Sequence, residues 1–79
     1  MTFATTIRDR RLELGFTQAK LGVLCGCTVD TISSIERGVH VPRRASLILA
    51  LAEHLQLEHK AILVLAAAER VPPRGKPAT

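Results

Sequence analysis

Residues 26–38 read GCTVDTISSIERG, and they have the grammar of a tight turn followed by a short, bounded helix. Gly26 suits the left-handed residue that ends one helix, Thr28 is of the type that caps the next, and Gly38 closes it. Ile32 and Ile35 fall three apart and form the inward stripe, with Thr31 or Val29 beside them. Val29, Asp30, Thr31, Ser33 and Ser34 are left for the outer face, and no Arg, Lys, Asn or Gln precedes Arg37. A helix with such definite ends and so neutral an outer face poses the question of what that face contacts.

Working outward, the rest of the chain is also helical by its spacing. Phe3, Ile7, Arg11 and Leu14 share one face of a first helix over about 4–14, which Gly15 stops. Thr17 caps a second helix carrying Leu21, Leu24 and Cys25, which ends at Gly26. Beyond Gly38, the segment 39–43 contains Pro42 and cannot continue a helix. A fourth helix follows over about 44–55, with Leu47 or Ile48, Leu51, Ala52 and Leu55 inward, then a fifth over about 58–69. The expected fold is all-α, a compact five-helix bundle in one domain spanning 1–70. The Pro- and Gly-rich segment 71–79, VPPRGKPAT, is expected to be a disordered tail or linker.

The chain has 79 residues, room for a single core that buries about 60% of the unfolded surface. Its formal charge is +4, but three of the cations, Arg70, Arg74 and Lys76, lie in the last ten residues. The body carries eight basic and seven acidic side chains, so local clusters matter more than the sum: Arg8, Arg10 and Arg11 near the start, and Arg37, His40, Arg43 and Arg44 around the second loop. Trp and Tyr are absent and only Phe3 and Phe16 are aromatic, which disfavours the stacking platforms of single-strand binders. Thr2 to Thr6 has no signal-peptide character, and the longest apolar run, 61–68, is too short to span a bilayer. The expectation is a reduced, cytoplasmic protein without a membrane segment.

Two short helices joined by the tight Gly26-Cys27 turn make a helix-turn-helix, in which the third helix protrudes to enter a groove about 12 Å wide. At this point FTQAKLGVLCGCTVDTISSIERG resembles the helix-turn-helix of the phage repressor and Cro superfamily, the XRE family. Gln18, Leu21, Gly26, Thr28, Ile32, Ile35, Glu36 and Gly38 are in register, and the likeness runs from 7 to about 57. The remainder is similar in composition to N-terminal modules of larger actinobacterial-type regulators.

The resemblance implies sequence-specific binding of double-stranded DNA in transcription regulation. Gln18 would meet a phosphate, Thr28 would cap the recognition helix, and Val29, Asp30, Thr31, Ser33 and Ser34 would approach bases or phosphates. Arg37, His40, Arg43 and Arg44 would anchor the backbone, and Arg11 and Glu36 would form a structural salt bridge. A homodimer on a palindromic or repeated site is expected. There are departures from the family pattern. Lys20 replaces the acid that would complete a capping box with Thr17, Arg10 takes an apolar position and reads as a surface cation, and Cys25 and Cys27 take core positions.

Each residue also has a plainer reading. Asp30 complements the helix dipole without any ligand, or it accepts from cytosine N4. Val29 touches a thymine methyl or packs beside Ile32. Arg37 holds a phosphate or the last carbonyls of its own helix. Cys25 and Cys27 read as buried, inert thiols, because no four-ligand metal spacing accompanies them. No cofactor, small-molecule site or catalytic pair is legible, so an enzyme is not expected. The fifth helix is apolar all round, and Ile62, Leu63 and Leu65 are expected to form an interaction surface for a second copy or a further domain. That surface supports an alternative: an antitoxin-like or scaffold module working through the fifth helix.

Overall fold

The computed structural model describes residues 2–70, and the segment 71–79, expected to be a tail or linker, lies outside them. Among the described residues there are five helices and no strand: α1 (Phe3–Glu13), α2 (Gln18–Cys25), α3 (Val29–Glu36), α4 (Ala45–His54) and α5 (His59–Arg70). The all-α five-helix bundle expected from the spacing is the fold of the chain.

Local chemistry sets each start. Thr2 and Thr5 form a reciprocal capping box at α1, where Thr2 Oγ1 accepts from the Thr5 N–H and the Thr2 N–H donates to Thr5 Oγ1. Thr17 and Thr28 cap α2 and α3 by accepting from the N–H three residues on, at 3.0 and 3.1 Å. Glu58 Oε1 accepts from the Ala61 N–H at 2.7 Å in the first turn of α5. α4 is the exception, since its N-cap is Arg44 and no side chain bonds its first turn.

The ends of α1, α2 and α3 share one closure, a left-handed residue followed by a backbone bond spanning six residues, of which Cys27 N–H to Gly22 O at 2.8 Å is an example. α4 closes in the same way, with Leu57 N–H donating to Ala52 O at 2.8 Å, but its left-handed residue is Gln56 at φ 59°.

The core draws on every helix: Phe3 and Ile7 from α1, Leu21 from α2, Ile32 and Ile35 from α3, Leu47, Ile48, Leu51 and Ala52 from α4, and Ile62 and Ala66 from α5. Leu55 completes it just past α4. α2 packs on α3 and α4, α1 packs on α3 and α5, and α4 packs on α5. Glu69 ties α5 to the start of α1, its Oε2 accepting from the Phe3 N–H at 2.8 Å.

Several expectations are corrected. Ile62 is 3% exposed and belongs to the core, so it is not part of a surface on α5. Leu63 and Leu65 are half-buried against the same core, and Val64, at 61% exposure, is the large apolar side chain that α5 turns outward. The reason is periodicity: 62 and 66 lie one turn apart on the inner face, while 64 falls on the opposite side. Val29 is exposed and not inward. Arg10 is not a loose surface cation, because its Nε donates to the Leu55 carbonyl at 2.8 Å and its Nη1 pairs with Glu13 at 3.0 Å.

Candidate nucleic-acid interface

The elbow between α2 and α3 is built at backbone level. Gly26, at φ 73°, turns the chain, and the Cys27 N–H ties back to Gly22 O. A β-carbon on Gly22 would stand 2.9 Å from the Cys27 carbonyl oxygen and 3.3 Å from Thr28 backbone atoms. Gly22 is buried, so a side chain there would push the turn off α2. Sequence reading passed over this residue. The signal was available, since a mid-helix glycine costs about 1 kcal/mol relative to alanine and calls for a packing reason.

The same elbow is clamped by side chains. Glu36, at the last position of α3, accepts from Arg11 Nε at 2.7 Å, from Arg11 Nη2 at 3.0 Å and from Gln18 Nε2 at 3.0 Å. The remaining Arg11 nitrogen, Nη1, donates to the Phe16 carbonyl at 2.8 Å. The Arg11 and Glu36 side chains are 11% and 3% exposed, so this is a shielded, two-pronged ion pair joining α1, the start of α2 and the end of α3. Gln18 is half-buried and commits one amide proton to the network.

On α3, Thr28, Val29 and Asp30 are exposed at the leading end, and Thr31, Ser33 and Ser34 are half-buried. The Thr28 and Thr31 hydroxyls face each other at 3.0 Å. Arg37 folds back along the helix, with Nε 3.4 Å from the Ser33 carbonyl and Nη2 3.5 Å from Ser34 Oγ. Bonds this long are weak and leave the guanidinium able to swing outward.

The basic residues divide into two groups. Near the chain start, Arg8 pairs with Asp9, Arg10 with Glu13 and Arg11 with Glu36, so that cluster is internally balanced. Around the α3–α4 loop, Arg37, His40, Arg43 and Arg44 are all exposed. Arg44 stands at the uncapped start of α4, where its charge opposes the helix dipole and an external anion would relieve the opposition. Arg44 is also close enough to Cys27 to act on its thiol electrostatically.

Both cysteines are half-buried against the core and carry free thiols. Burial, and then the neighbouring Cys27, pushes the Cys25 thiol up to about 11. Burial also raises Cys27, with Arg44 pulling the other way. Protonated thiols of this kind are weak nucleophiles and weak metal ligands. Among the described residues no group of three or more His, Cys, Asp and Glu is placed to hold a metal ion, and no helix is long and apolar enough to cross a membrane.

Residues 2–62 match the family described as helix-turn-helix domain. The chain is similar to two HTH-type transcriptional regulators. With YgzD of Bacillus subtilis (strain 168) it is 42% identical over 45 residues, 57% of this chain and 64% of that one, so it spans just under two thirds of that relative. With a regulator of Methanothermobacter thermautotrophicus (strain Delta H) it is 46% identical over 57 residues, 70% of this chain and 78% of that one. Among solved structures it is similar to the P22 c2 repressor in complex with synthetic operator 9T. There the TM-score is 0.73 at 32% identity, covering 78% of this chain and 92% of the repressor chain.

Proposed function

This chain belongs to the helix-turn-helix domain family, of the phage repressor and Cro type, and from that premise we propose that it binds double-stranded DNA to regulate transcription. The observation that carries the reading is the clamped elbow. Gly22, Gly26 and the Arg11–Glu36–Gln18 network fix α3 against α2, while the leading end of α3 stays exposed. In this reading α3 enters the major groove and presents Val29, Asp30, Ser33 and Ser34 to the base edges. The start of α2, with Gln18, lies across one phosphate strand, its unpaired backbone N–H groups and remaining amide proton turned to an oxygen. Thr28 and Thr31 lie at the groove edge, and Arg37, His40, Arg43 and Arg44 meet the backbone on the far side.

Two copies acting in the cytoplasm would address half-sites about one helical turn apart, roughly 34–36 Å. The neutral face of α3 leaves part of the specificity to that spacing and to DNA shape. Binding of the full chain to duplex DNA across a salt series tests the proposal. The expected result is affinity that falls steeply and log-linearly with salt, as counterions leave the contacted phosphates. A flat response would overturn it. Val64, exposed beside Ala61, Ala67 and Ala68 on α5, favours a second use of the domain as a contact surface for another chain.

A further inference from the structure

We infer that the chain selects a thymine and a cytosine within each half-site, the thymine through Val29 and the cytosine through Asp30. The inference rests on the duplex-binding reading above. At the leading end of α3 the other polar groups are largely engaged. Thr28 Oγ1 accepts the Thr31 N–H at 3.1 Å, and the Thr31 hydroxyl faces it at 3.0 Å. Farther along, Ser33 and Ser34 are half-buried, and Ser34 Oγ lies 3.5 Å from the Arg37 guanidinium. Val29, at 44% exposure, and the exposed Asp30 stand clear, and Asp30 makes no hydrogen bond or ion pair among the described residues. They are consecutive residues, about 100° apart around the helix, so they address different base pairs.

An ionised carboxylate offers acceptors and no donor. In the major groove cytosine alone presents a donor, its N4 amine, with no acceptor beside it. Adenine sets N7 next to N6, guanine presents N7 and O6, and thymine presents O4. Asp30 is therefore satisfied by cytosine and set against a lone pair by each of the others, so it discriminates by repulsion as well as attraction. A carboxylate also weakens attraction to phosphates whatever the sequence. Val29 has no polar atom, and the thymine C5-methyl is the apolar group available on a base edge. Over any other edge, Val29 displaces water without replacing its hydrogen bonds.

The test selects duplexes from a random pool with the full chain. It then measures matched duplexes at one fixed salt concentration with the wild type, Val29→Ala, Asp30→Ala and Asp30→Asn. The expected half-site contains a thymine and a cytosine within a few steps of each other. Replacing the cytosine pair should weaken wild-type binding by about fivefold or more. Asp30→Ala should abolish that penalty, and Asp30→Asn should move the preference to adenine, whose N6 and N7 an amide bonds in two-pronged fashion. Deoxyuridine in place of the thymine, which removes only the methyl, should weaken the wild type and leave Val29→Ala unchanged. Equal base penalties in the wild type and the variants, with a steep salt response retained, would overturn this assignment while leaving duplex binding in place. If Asp30→Ala lowers thermal stability but keeps the base preference, the carboxylate serves the helix dipole alone and the assignment fails. No duplex binding at any salt concentration would overturn both readings.

Discussion

Glu36 receives three hydrogen bonds from two side chains that lie 25 and 18 residues away in sequence. Deleting its carboxylate would strand the Arg11 charge in a shielded site with only the Phe16 carbonyl as a partner. Losing one member of a buried pair costs about 3–5 kcal/mol, a large fraction of the stability of a domain this small. Glu36→Ala is therefore expected to lower the free energy of unfolding by about that amount in a urea titration, with Glu36→Gln losing less because it still accepts. The thiols give a second prediction at this scale. Cys25 moves from an ordinary 9.0 to about 11 because burial, and then Cys27, disfavours the thiolate. The folded chain thus holds that proton more tightly than the unfolded chain. Its contribution to stability is complete below about 9 and is lost as pH rises through about 11. Thermal midpoints should hold steady up to pH 9 and fall above it, and Cys25→Ser should flatten the fall. Sequence spacing could place Cys25 on an inward face, but not how deeply it sits, because depth depends on what packs across from it.

Helix ends belong to the next scale, and they were the most legible feature of the sequence. Gly15, Gly26 and Gly38 mark three closures, and threonines at 17 and 28 mark two starts, because left-handed backbone and orphan N–H groups make local demands that few residue types meet. The fourth closure was invisible as a conformation, since nothing about Gln56 announces a φ of 59°. A side chain in that region carries a strain of about 1–2 kcal/mol, and glycine gives part of the relief back in unfolded-state entropy. Gln56→Gly is expected to raise stability by about 0.5–1 kcal/mol, read as a small upward shift of the thermal midpoint. On α5 the unbroken apolar run 61–68 concealed which residues turn inward. With no polar residue to break the symmetry of the pattern, the choice of Ile62 and Ala66 over Val64 falls to the packing of α5 on α4 and α1.

For the whole molecule, the proposed duplex binding draws on the distribution of charge. The arginines of α1 pair with acids and sit in the scaffold, whereas Arg37, His40 and Arg44 around the α3–α4 loop are exposed, as the proposed contact with a polyanion requires. Arg44 supplies the sharpest prediction, because it opens α4 without a capping side chain. Arg44→Ala should weaken binding to all duplex sequences nearly uniformly and reduce the salt slope by about one, while Lys60→Ala on α5 should leave the slope unchanged. From composition, the clusters at 8–11 and 37–44 looked equivalent. Once the helices are packed, Arg10 and Arg11 are held in place by the Leu55 carbonyl and by Glu36, whereas Arg44 stands exposed at the uncapped start of α4.

The sequence by itself determined the five helices, two of their caps, three of their closures and most of the core, because each follows from local backbone demands and from a 3.6-residue period. Only the tertiary structure decided that Gly22 holds the turn against α2, that Gln18 joins Arg11 on Glu36, that Val64 and not Ile62 faces outward, and that Arg10 and Arg11 are tied to other elements. Each of these depends on atoms brought together from distant parts of the chain, and neither propensity nor spacing along one helix records which neighbour it will meet.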